Sequence, residues 1–209
     1  MTRFTLAIDT SQGSAVALLE EDRVLSELYG PNTMKHAEQV GNLISKVLVA
    51  ANRKADQVTA VAVGIGPAPF TGLRVGIAAA KLFALGVGAK LYSVSSLDAI
   101  AFGLELEKPT LLLTDARRGE VYFGLYQGKS PSGVPLLLQG PGVRKQVELE
   151  KELTEAGQSY EIQTGVASAS LVGKLLALQL KEGTATLGAS ANYLRAPDAV
   201  PSKGKKVSG

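Results

Sequence analysis

Apolar and polar residues alternate at the start of the chain and then change to a helical spacing. Over residues 4–9 every second position is apolar, which is the period of a half-buried strand. Short polar turns lead into two more apolar segments, at 15–19 and 23–29, so the three segments predict an antiparallel meander. Apolar residues at 37–51 recur every three or four positions, which predicts a helix with one apolar face.

Strand and helix patterns alternate in the residues that follow. A small, β-branched run at 60–64 predicts a buried strand, and a proline-containing loop separates it from a helix over 72–85 with Thr71 as its predicted N-cap. Residues 91–94 predict a fifth strand, and Ser95 with an acidic residue three positions later fits a capping box before another helix. The order βββαβαβα predicts a mixed sheet with helices on its faces.

The pattern begins again near residue 107, which indicates a degenerate duplication. Residues 6–13 align with 112–119, and both copies place Asp and Gly at the same offset. The order of the first half resembles a ribonuclease-H-like lobe of the actin and sugar-kinase superfamily, so we predict a two-lobed α/β fold of this actin-like type, with a reduced second lobe of similar topology. The predicted units are a first lobe at 1–106, a second lobe at 107–201 and a disordered basic tail at 202–209.

Composition narrows the class of protein. Of the 209 residues 45% are apolar and 20% are charged, as is usual for globular proteins. The chain has no cysteine and one histidine, which excludes a disulfide scaffold and disfavours a structural zinc site. A net charge of +3 is too small to indicate nucleic-acid binding by itself. We see no signal-peptide pattern, and the apolar run at 75–89 is shorter than the ~20 residues that cross a bilayer, so we expect a cytoplasmic protein with no membrane contact.

Two acidic turns are candidate ligand sites. In a two-lobed fold the turns after Asp9 and Asp115 would face each other, and their backbone N–H groups and carboxylates could hold a phosphate and a metal ion. The alternative, which we favour, is that each Asp caps its own turn, because the first turn lacks a second glycine. The candidate nucleotide or anion pocket consists of Asp9, Ser11, Asp115, Arg117 and Arg118.

Other motifs argue against a catalytic centre. A metal-binding helix would need a second histidine four positions after His36, and Val40 stands there, so we expect His36 and Glu38 to orient the helix start. The loop at 66–72 lacks the Lys-Ser/Thr step of a phosphate-binding loop and does not match a dinucleotide fingerprint. The sequence therefore predicts neither catalytic nor metal-binding residues.

Small residues form a row on the helix predicted over 72–85. Gly72, Gly76, Ala80 and Ala84 lie four positions apart. Glycine within a helix costs up to ~1 kcal/mol relative to alanine, so the row indicates close approach of another backbone. That neighbour is either the helix at 37–51 or a helix of a partner chain, and the pattern leaves both open.

With these motifs together, the chain resembles the TsaB family of bacterial tRNA threonylcarbamoyladenosine biosynthesis proteins. The similar segments are 7–11, 36–38, 66–74, 95–99, 115–122 and 193–199, in the family's order. The sequence Pro-Phe-Thr-Gly-Leu-Arg at 69–74 is among the more specific of them. Ala68 and Pro69 depart from the Gly-Ser that is common in this loop, which weakens a ligand-binding role for its backbone.

The resemblance implies a non-catalytic subunit that binds TsaD. TsaD would carry the metal site and transfer threonylcarbamoyl to a tRNA adenosine beside the anticodon, and an ATPase, TsaE, would complete the set. No cofactor is expected on this chain alone, since ATP and a metal ion belong to the partner subunits, and tRNA is the substrate of the complex. The surface that binds TsaD could also join two copies of the chain in a homodimer. Expected at the interface are His36, Glu38, Val40, Leu43, Val47, Gly72, Arg74, Gly76 and Ala80.

Three alternatives stay open. The chain could be an autonomous ATPase of the actin and sugar-kinase class, although the region after residue 142 is short for a complete second lobe. It could be a metalloprotease-like enzyme, which would bind a metal ion in stoichiometric amount. It could also contact tRNA directly through its basic tail and the pair Arg117 and Arg118.

Overall fold

Two β-sheets organise the computed structural model, which describes residues 2–30 and 36–195. Within these residues the strands are β1 (Phe4–Asp9), β2 (Ser14–Glu20), β3 (Arg23–Gly30), β4 (Ala60–Gly64), β5 (Lys90–Val94), β6 (Thr110–Asp115), β7 (Glu120–Lys129), β8 (Pro135–Lys145), β9 (Glu161–Thr164) and β10 (Thr186–Leu187). The α-helices are α1 (His36–Ala50), α2 (Phe70–Val87), α3 (Ser96–Gly103), α4 (Gln146–Glu155) and α5 (Ala169–Glu182).

The first sheet has the strand order β10-β5-β4-β1-β2-β3. β1 pairs antiparallel with β2 and parallel with β4, so the meander and the crossover meet at β1. Alternation along β1 directs Leu6 and Ile8 to one face and Ala7 to the other. The predicted order βββαβαβα of the first half is confirmed.

Helices cover both faces of the first sheet. On one face α1 and α2 pack Val40, Val47 and Ile77 against the strands. On the other face α5 packs Val172 and Leu175, both completely buried, together with residues of α3. Both faces of the first sheet are therefore shielded from water. This explains why β4 is apolar at every position and does not alternate between apolar and polar residues.

The second sheet repeats the topology with fewer elements. Its order β8-β7-β6-β9 matches the order β3-β2-β1-β4 of the first sheet, and β1 and β6 both end in an aspartate. One face packs on α4 through Leu149 and Leu153, and the other packs Leu112 and Tyr126 against α3. Two lobes of this shared topology form the ribonuclease-H-like, actin-like fold that the sequence predicted.

The chain returns to the first sheet near its end, which the sequence did not predict. β10 pairs with β5, and α5 contacts β1 and β2. Within the predicted second lobe at 107–201, α5 and β10 thus pack on the first sheet, and the boundary near residue 106 stays a prediction. The expected tail at 202–209 lies outside the described residues. Thr71 is not an N-cap, because α2 begins at Phe70 with Pro69 in the capping position, and Thr71 lies exposed in the first turn.

α2 has an unusual composition for a helix at the surface. Among the described residues it alone is long and apolar enough to cross a membrane by length and composition, with a mean hydropathy of 1.5. A third of the helix, 33%, is buried, and Leu73, Ile77 and Ala80 pack within the first lobe. The same test is passed by core helices of globular proteins, so it is weak evidence for a membrane span.

Candidate functional site

The carboxylate of Asp9 lies at the end of β1, where the two lobes meet. Its side chain is only 1% exposed. Oδ1 accepts hydrogen bonds from the N–H and the hydroxyl of Ser11, and Oδ2 accepts one from Ser96 Oγ at 2.7 Å. Burial raises the pKa of Asp9, and the hydrogen bonds from Ser11 and Ser96 oppose this shift. The carboxylate is thus occupied by the chain's own donors.

A glycine and the loop after β4 make this closure possible. A Cβ at Gly64 would clash with Asp9 Oδ2, so only glycine lets β4 pass this close to the carboxylate. Ser96 Oγ also accepts a hydrogen bond from Gly66 N at 3.1 Å. One serine at the start of α3 therefore joins Asp9 to the loop that follows β4.

The cleft between the lobes is almost filled. It holds a cavity of about 10 Å³, the space for about one water molecule. Pro67, Ala68 and Pro69 form one wall, and Asp115 and Tyr122 line the other. Ligand sites for small molecules typically enclose roughly 300–1,000 Å³, so a nucleotide does not fit in this cavity.

Hydrogen bonds hold the cleft closed. The Gln12 side chain donates to Gly165 O at 3.2 Å and accepts from Ala167 N at 3.1 Å. At the other end, Tyr126 Oη donates to Asp98 Oδ1 at 2.7 Å across the lobe boundary. Burial raises the pKa of Asp98 and of Tyr126, as expected for groups removed from water.

The two predicted arginines lie on the turn between β6 and β7. Arg117 and Arg118 have φ angles of 64° and 56°, and both side chains are exposed. Asp115 Oδ1 accepts from Arg117 N at 2.7 Å, which confirms that this Asp caps its own turn. The five residues of the predicted anion pocket therefore divide into a buried pair, Asp9 and Ser11, and an exposed group on this turn.

A larger depression lies beside the same turn, and the predicted Asp115 is one of its lining residues. Its volume is about 570 Å³, and it opens at the carboxyl ends of β6 and β9. Asp115 and Thr164 supply polar groups, and Val121 and Ile162 supply apolar surface. It is wide and shallow. Part of its lining belongs to segment 115–122, which the sequence analysis singled out, whereas no motif marks the part from Ile162 to Val166.

Metal ligation has little support in the described part of the chain. Within residues 2–30 and 36–195, no group of three or more histidine, cysteine, aspartate or glutamate side chains could hold a metal ion. His36 begins α1, but its side chain lies outside what the structure describes.

Most of the residues expected at a partner interface are buried in the chain's own core. Val40, Val47 and Ala80 are at most 1% exposed, and Gly72 and Gly76 face inward on α2. A side chain at Gly76 would clash with Thr10, the residue that follows β1, so glycine at this position accommodates the same lobe. These five assignments are corrected: the residues shape the core rather than a contact surface. Of the others, Glu38 and Arg74 are exposed and Leu43 is half-buried.

The outer sides of α1 and α2 present a different set of small and apolar residues. Val49, Leu82 and Leu85 are 78%, 71% and 81% exposed. Gly41 on α1 and Gly86 on α2 are also exposed, and a Cβ at either would meet open space. We call these five residues the contact face. Sequence reasoning missed them, although glycines outside the apolar stripe of a helix were an available signal.

Comparison with known proteins relates the chain to one group. A family model described as "TsaD: tRNA N6-adenosine threonylcarbamoyltransferase" matches residues 32–131. An uncharacterised protein of Mycobacterium leprae is 33% identical over 213 residues, which cover 94% of this chain and 56% of that protein. The tRNA threonylcarbamoyladenosine biosynthesis protein TsaB of Escherichia coli is 27% identical over 206 residues, which cover 97% of this chain and 89% of that protein.

A solved structure gives the same relationship. The crystal structure of a Pseudomonas aeruginosa protein with similarity to peptidase YeaZ superposes with a TM-score of 0.77 at 25% identity, over 92% of this chain and all of that one. The match to the mycobacterial relatives spans a little over half of their length, 56–58%.

Proposed function

We propose that this chain is a non-catalytic subunit in the formation of N6-threonylcarbamoyladenosine in tRNA, because it belongs to the TsaB family of tRNA threonylcarbamoyladenosine biosynthesis proteins. In this proposal it binds a TsaD subunit and supports its activity. TsaD and the ATPase TsaE supply the metal ion and ATP, the complex acts on tRNA beside the anticodon, and all of this takes place in the cytoplasm.

The contact face carries the proposal. Large apolar side chains such as Leu82 and Leu85 are rarely exposed together on a helix unless another surface covers them. Gly41 and Gly86 have no steric reason to be glycine within the chain, and each costs up to ~1 kcal/mol of helix stability relative to alanine. A helix of a partner packed on α1 and α2 would account for both features, because it would bury the leucines and approach the glycines closely.

The Asp9 region supports the absence of independent catalysis. Its carboxylate is buried and bonded to Ser11 and Ser96, and the adjacent cavity holds about 10 Å³. A reacting nucleotide or peptide would have to displace this network and separate the lobes. We therefore assign the chemistry to the partner subunits.

Binding to TsaD tests the contact face directly. We expect Leu85→Glu and Gly41→Leu to weaken binding to purified TsaD by about 2 kcal/mol or more, a ~30-fold rise in Kd measured by calorimetry. Leu138→Glu is the matched control, because Leu138 is 47% exposed on β8, far from the contact face in sequence and in a different sheet. Each variant can also be reconstituted with TsaD and TsaE, and the modified adenosine in tRNA measured. Leu85→Glu and Gly41→Leu should lower the yield, and Leu138→Glu should not.

The outcome separates the proposal from its alternatives. If Leu85→Glu binds TsaD as well as Leu138→Glu does, the contact face is misplaced. A homodimer of the free chain that is lost with the same substitutions would mean that two copies share this face. ATP hydrolysis by the chain alone that disappears with Asp9→Ala, or stoichiometric metal with peptidase activity, would overturn the non-catalytic assignment.

A further inference from the structure

The segment that follows β10 is attached to the first lobe at both ends of the loop between β4 and α2. At one end, Asn192 N donates to Ile65 O at 2.9 Å, directly after β4. At the other end, the Tyr193 ring lies on the Phe70 ring at the start of α2, with the ring centroids 4.7 Å apart. The Arg74 guanidinium lies 3.6 Å from the centroid of the same Phe70 ring, and its Nε donates to Tyr193 Oη at 3.1 Å. These contacts fix the direction in which the segment leaves the first lobe.

Two residues after Tyr193, the same segment is attached to the second lobe. Arg195 Nη1 donates to Ala116 O at 2.9 Å, and Arg195 Nη2 forms an ion pair with Glu120 Oε2 at 3.0 Å. Ala116 and Glu120 lie at the two ends of the turn between β6 and β7, which a hydrogen bond from Ala116 N to Glu120 O closes. Residues 192–195, which we call the strap, therefore run from one lobe to the other.

The strap joins the two walls of the cleft at Asp9. Residues 67–69, which form one wall, belong to the loop whose two ends contact the strap. Asp115 and Tyr122, which line the other wall, flank the turn that Arg195 holds. Burial raises the pKa of Tyr122, and the nearby charge of Arg195 opposes this shift, so the guanidinium lies close to this wall. The contacts of Gln12 and the hydrogen bond between α3 and β7 tie the lobes at other points.

The second-lobe end of the strap depends on charge. The side chains of Arg195 and Glu120 are 25% and 30% exposed, so water and salt compete with their ion pair. We propose that the strap keeps the walls of the cleft together, and that release of Arg195 from the turn between β6 and β7 opens the cleft at Asp9. Arg195 is then a positioning residue, because it sets the separation of the walls from outside the cavity.

A single engineered thiol reports whether the cleft opens, because the chain has no cysteine. Ala68→Cys places the thiol on a cleft wall, where Ala68 is 6% exposed. Its reaction with dithiodipyridine, a neutral reagent, is followed by absorbance. Arg195→Ala in this background should raise the labelling rate at least about tenfold, because two hydrogen bonds to a charged group are lost. Added salt should accelerate labelling of the Ala68→Cys chain more than of the Arg195→Ala variant.

Two controls separate opening of the cleft from other effects of losing an arginine. Arg144→Ala removes an exposed arginine of the same lobe, whose ion pair with Glu152 is long at 3.9 Å, and it should leave the labelling rate within about twofold. Ala17→Cys places the thiol in the first-lobe core, where Ala17 is completely buried. Arg195→Ala should not change the labelling rate at this second position, because the strap does not hold the core together.

A double variant and hydrogen exchange complete the test, and the chain alone is measured throughout, so the result does not depend on binding to TsaD. Glu120→Ala should accelerate labelling of Ala68→Cys, and adding it to Arg195→Ala should have no further effect, since both break one contact. In the chain without cysteine, Gly66 N, which donates to Ser96 Oγ at 3.1 Å, should exchange faster with Arg195→Ala than with Arg144→Ala.

The proposal is overturned if Arg195→Ala and Arg144→Ala label alike at Ala68→Cys and exchange alike at Gly66. It is also overturned if Arg195→Ala accelerates labelling at Ala17→Cys as much as at Ala68→Cys, because the strap would then stabilise the whole fold instead of closing the cleft.

Discussion

At the scale of single residues, the carboxylate of Asp9 is unusual because it is almost completely buried. Its carboxylate accepts hydrogen bonds from Ser11 and Ser96, but no cation lies among its partners. Desolvation is the largest influence on its pKa and raises it. The sequence marked Asp9 as a candidate ligand because it follows a strand, but it could not show that Ser96, 87 positions away, would occupy the same carboxylate.

The raised pKa predicts how stability depends on pH. A carboxyl group whose folded pKa lies above its ordinary value of 3.8 binds more protons in the folded than in the unfolded state. The free energy of unfolding should therefore fall as pH rises from 3.8 through the folded pKa. Asp9→Asn should remove a slope of up to about 1.4 kcal/mol per pH unit, measured by urea unfolding at a series of pH values.

The control for this prediction is Asp56→Asn, which removes an exposed carboxylate. Its stability profile should follow that of the unaltered chain. Asp98 is a second buried carboxyl with a raised pKa, so some of the slope should persist in Asp9→Asn. A profile for Asp9→Asn that coincides with the unaltered one would show that Asp9 does not titrate differently on folding.

At the scale of elements, α2 shows where sequence patterns stop being informative. The strands and helices of the first half were predicted to within a few residues because alternation and helical spacing are local properties. α2 is apolar on nearly every side, so its pattern does not say which side faces the sheet. The contact between Gly76 and Thr10 decides this, and it joins segments 66 residues apart. The row of small residues was therefore recognised correctly. Of the two neighbours that the sequence left open, α1 of the same lobe does contact α2, and Gly76 packs against Thr10, which neither alternative included.

Two glycines of α2 should respond in opposite ways to alanine. Gly76→Ala places a Cβ against Thr10, whose hydroxyl donates to Gly72 O at 2.8 Å, so we expect a loss of about 1–3 kcal/mol in stability. Gly86→Ala meets open space and should gain up to about 1 kcal/mol through helix propensity. Urea unfolding of both variants measures the difference.

The Gly76 prediction has an internal check. If the steric contact is the cause, Gly76→Ala should cost less in a Thr10→Ala background, where the clashing side chain is absent. Equal losses in both backgrounds would mean that another neighbour of Gly76 is responsible.

At the scale of the whole molecule, the lobes are connected by more than the chain between them. α5 lies after the second sheet in sequence, yet it covers one face of the first sheet. Helical spacing is local and could not identify the partner of α5, because the strands that it covers, β1, β2, β4 and β5, all lie in the first half of the chain. β10 was missed since a pairing of two residues leaves no periodic signal.

Because α5 and β10 pack on the first sheet, we predict that residues 1–106 do not fold alone. Without α5, the face of the first sheet that contains Ala7 and Leu19 would be exposed to water. Burying the side chains of Val172, Leu175 and Leu176 contributes about 1.5–3 kcal/mol each, together comparable to the net stability of roughly 5–15 kcal/mol of a typical domain. The fragment 1–106 should therefore show no cooperative thermal unfolding by circular dichroism.

Complementation distinguishes a missing surface from a damaged fragment. Mixing 1–106 with 107–209 should restore a cooperative transition, because α5 and β10 can then dock on the first sheet and Gln12 can bond to Gly165 and Ala167. The same mixture with Leu175→Asp in the second fragment should not recover it, since a charge would be buried against the sheet. Cooperative unfolding of 1–106 by itself would instead establish the first lobe as an independent domain, and the lobes could then move against each other. In that case the closed cleft at Asp9 would be one of several conformations, and the argument against nucleotide binding there would lose its structural basis.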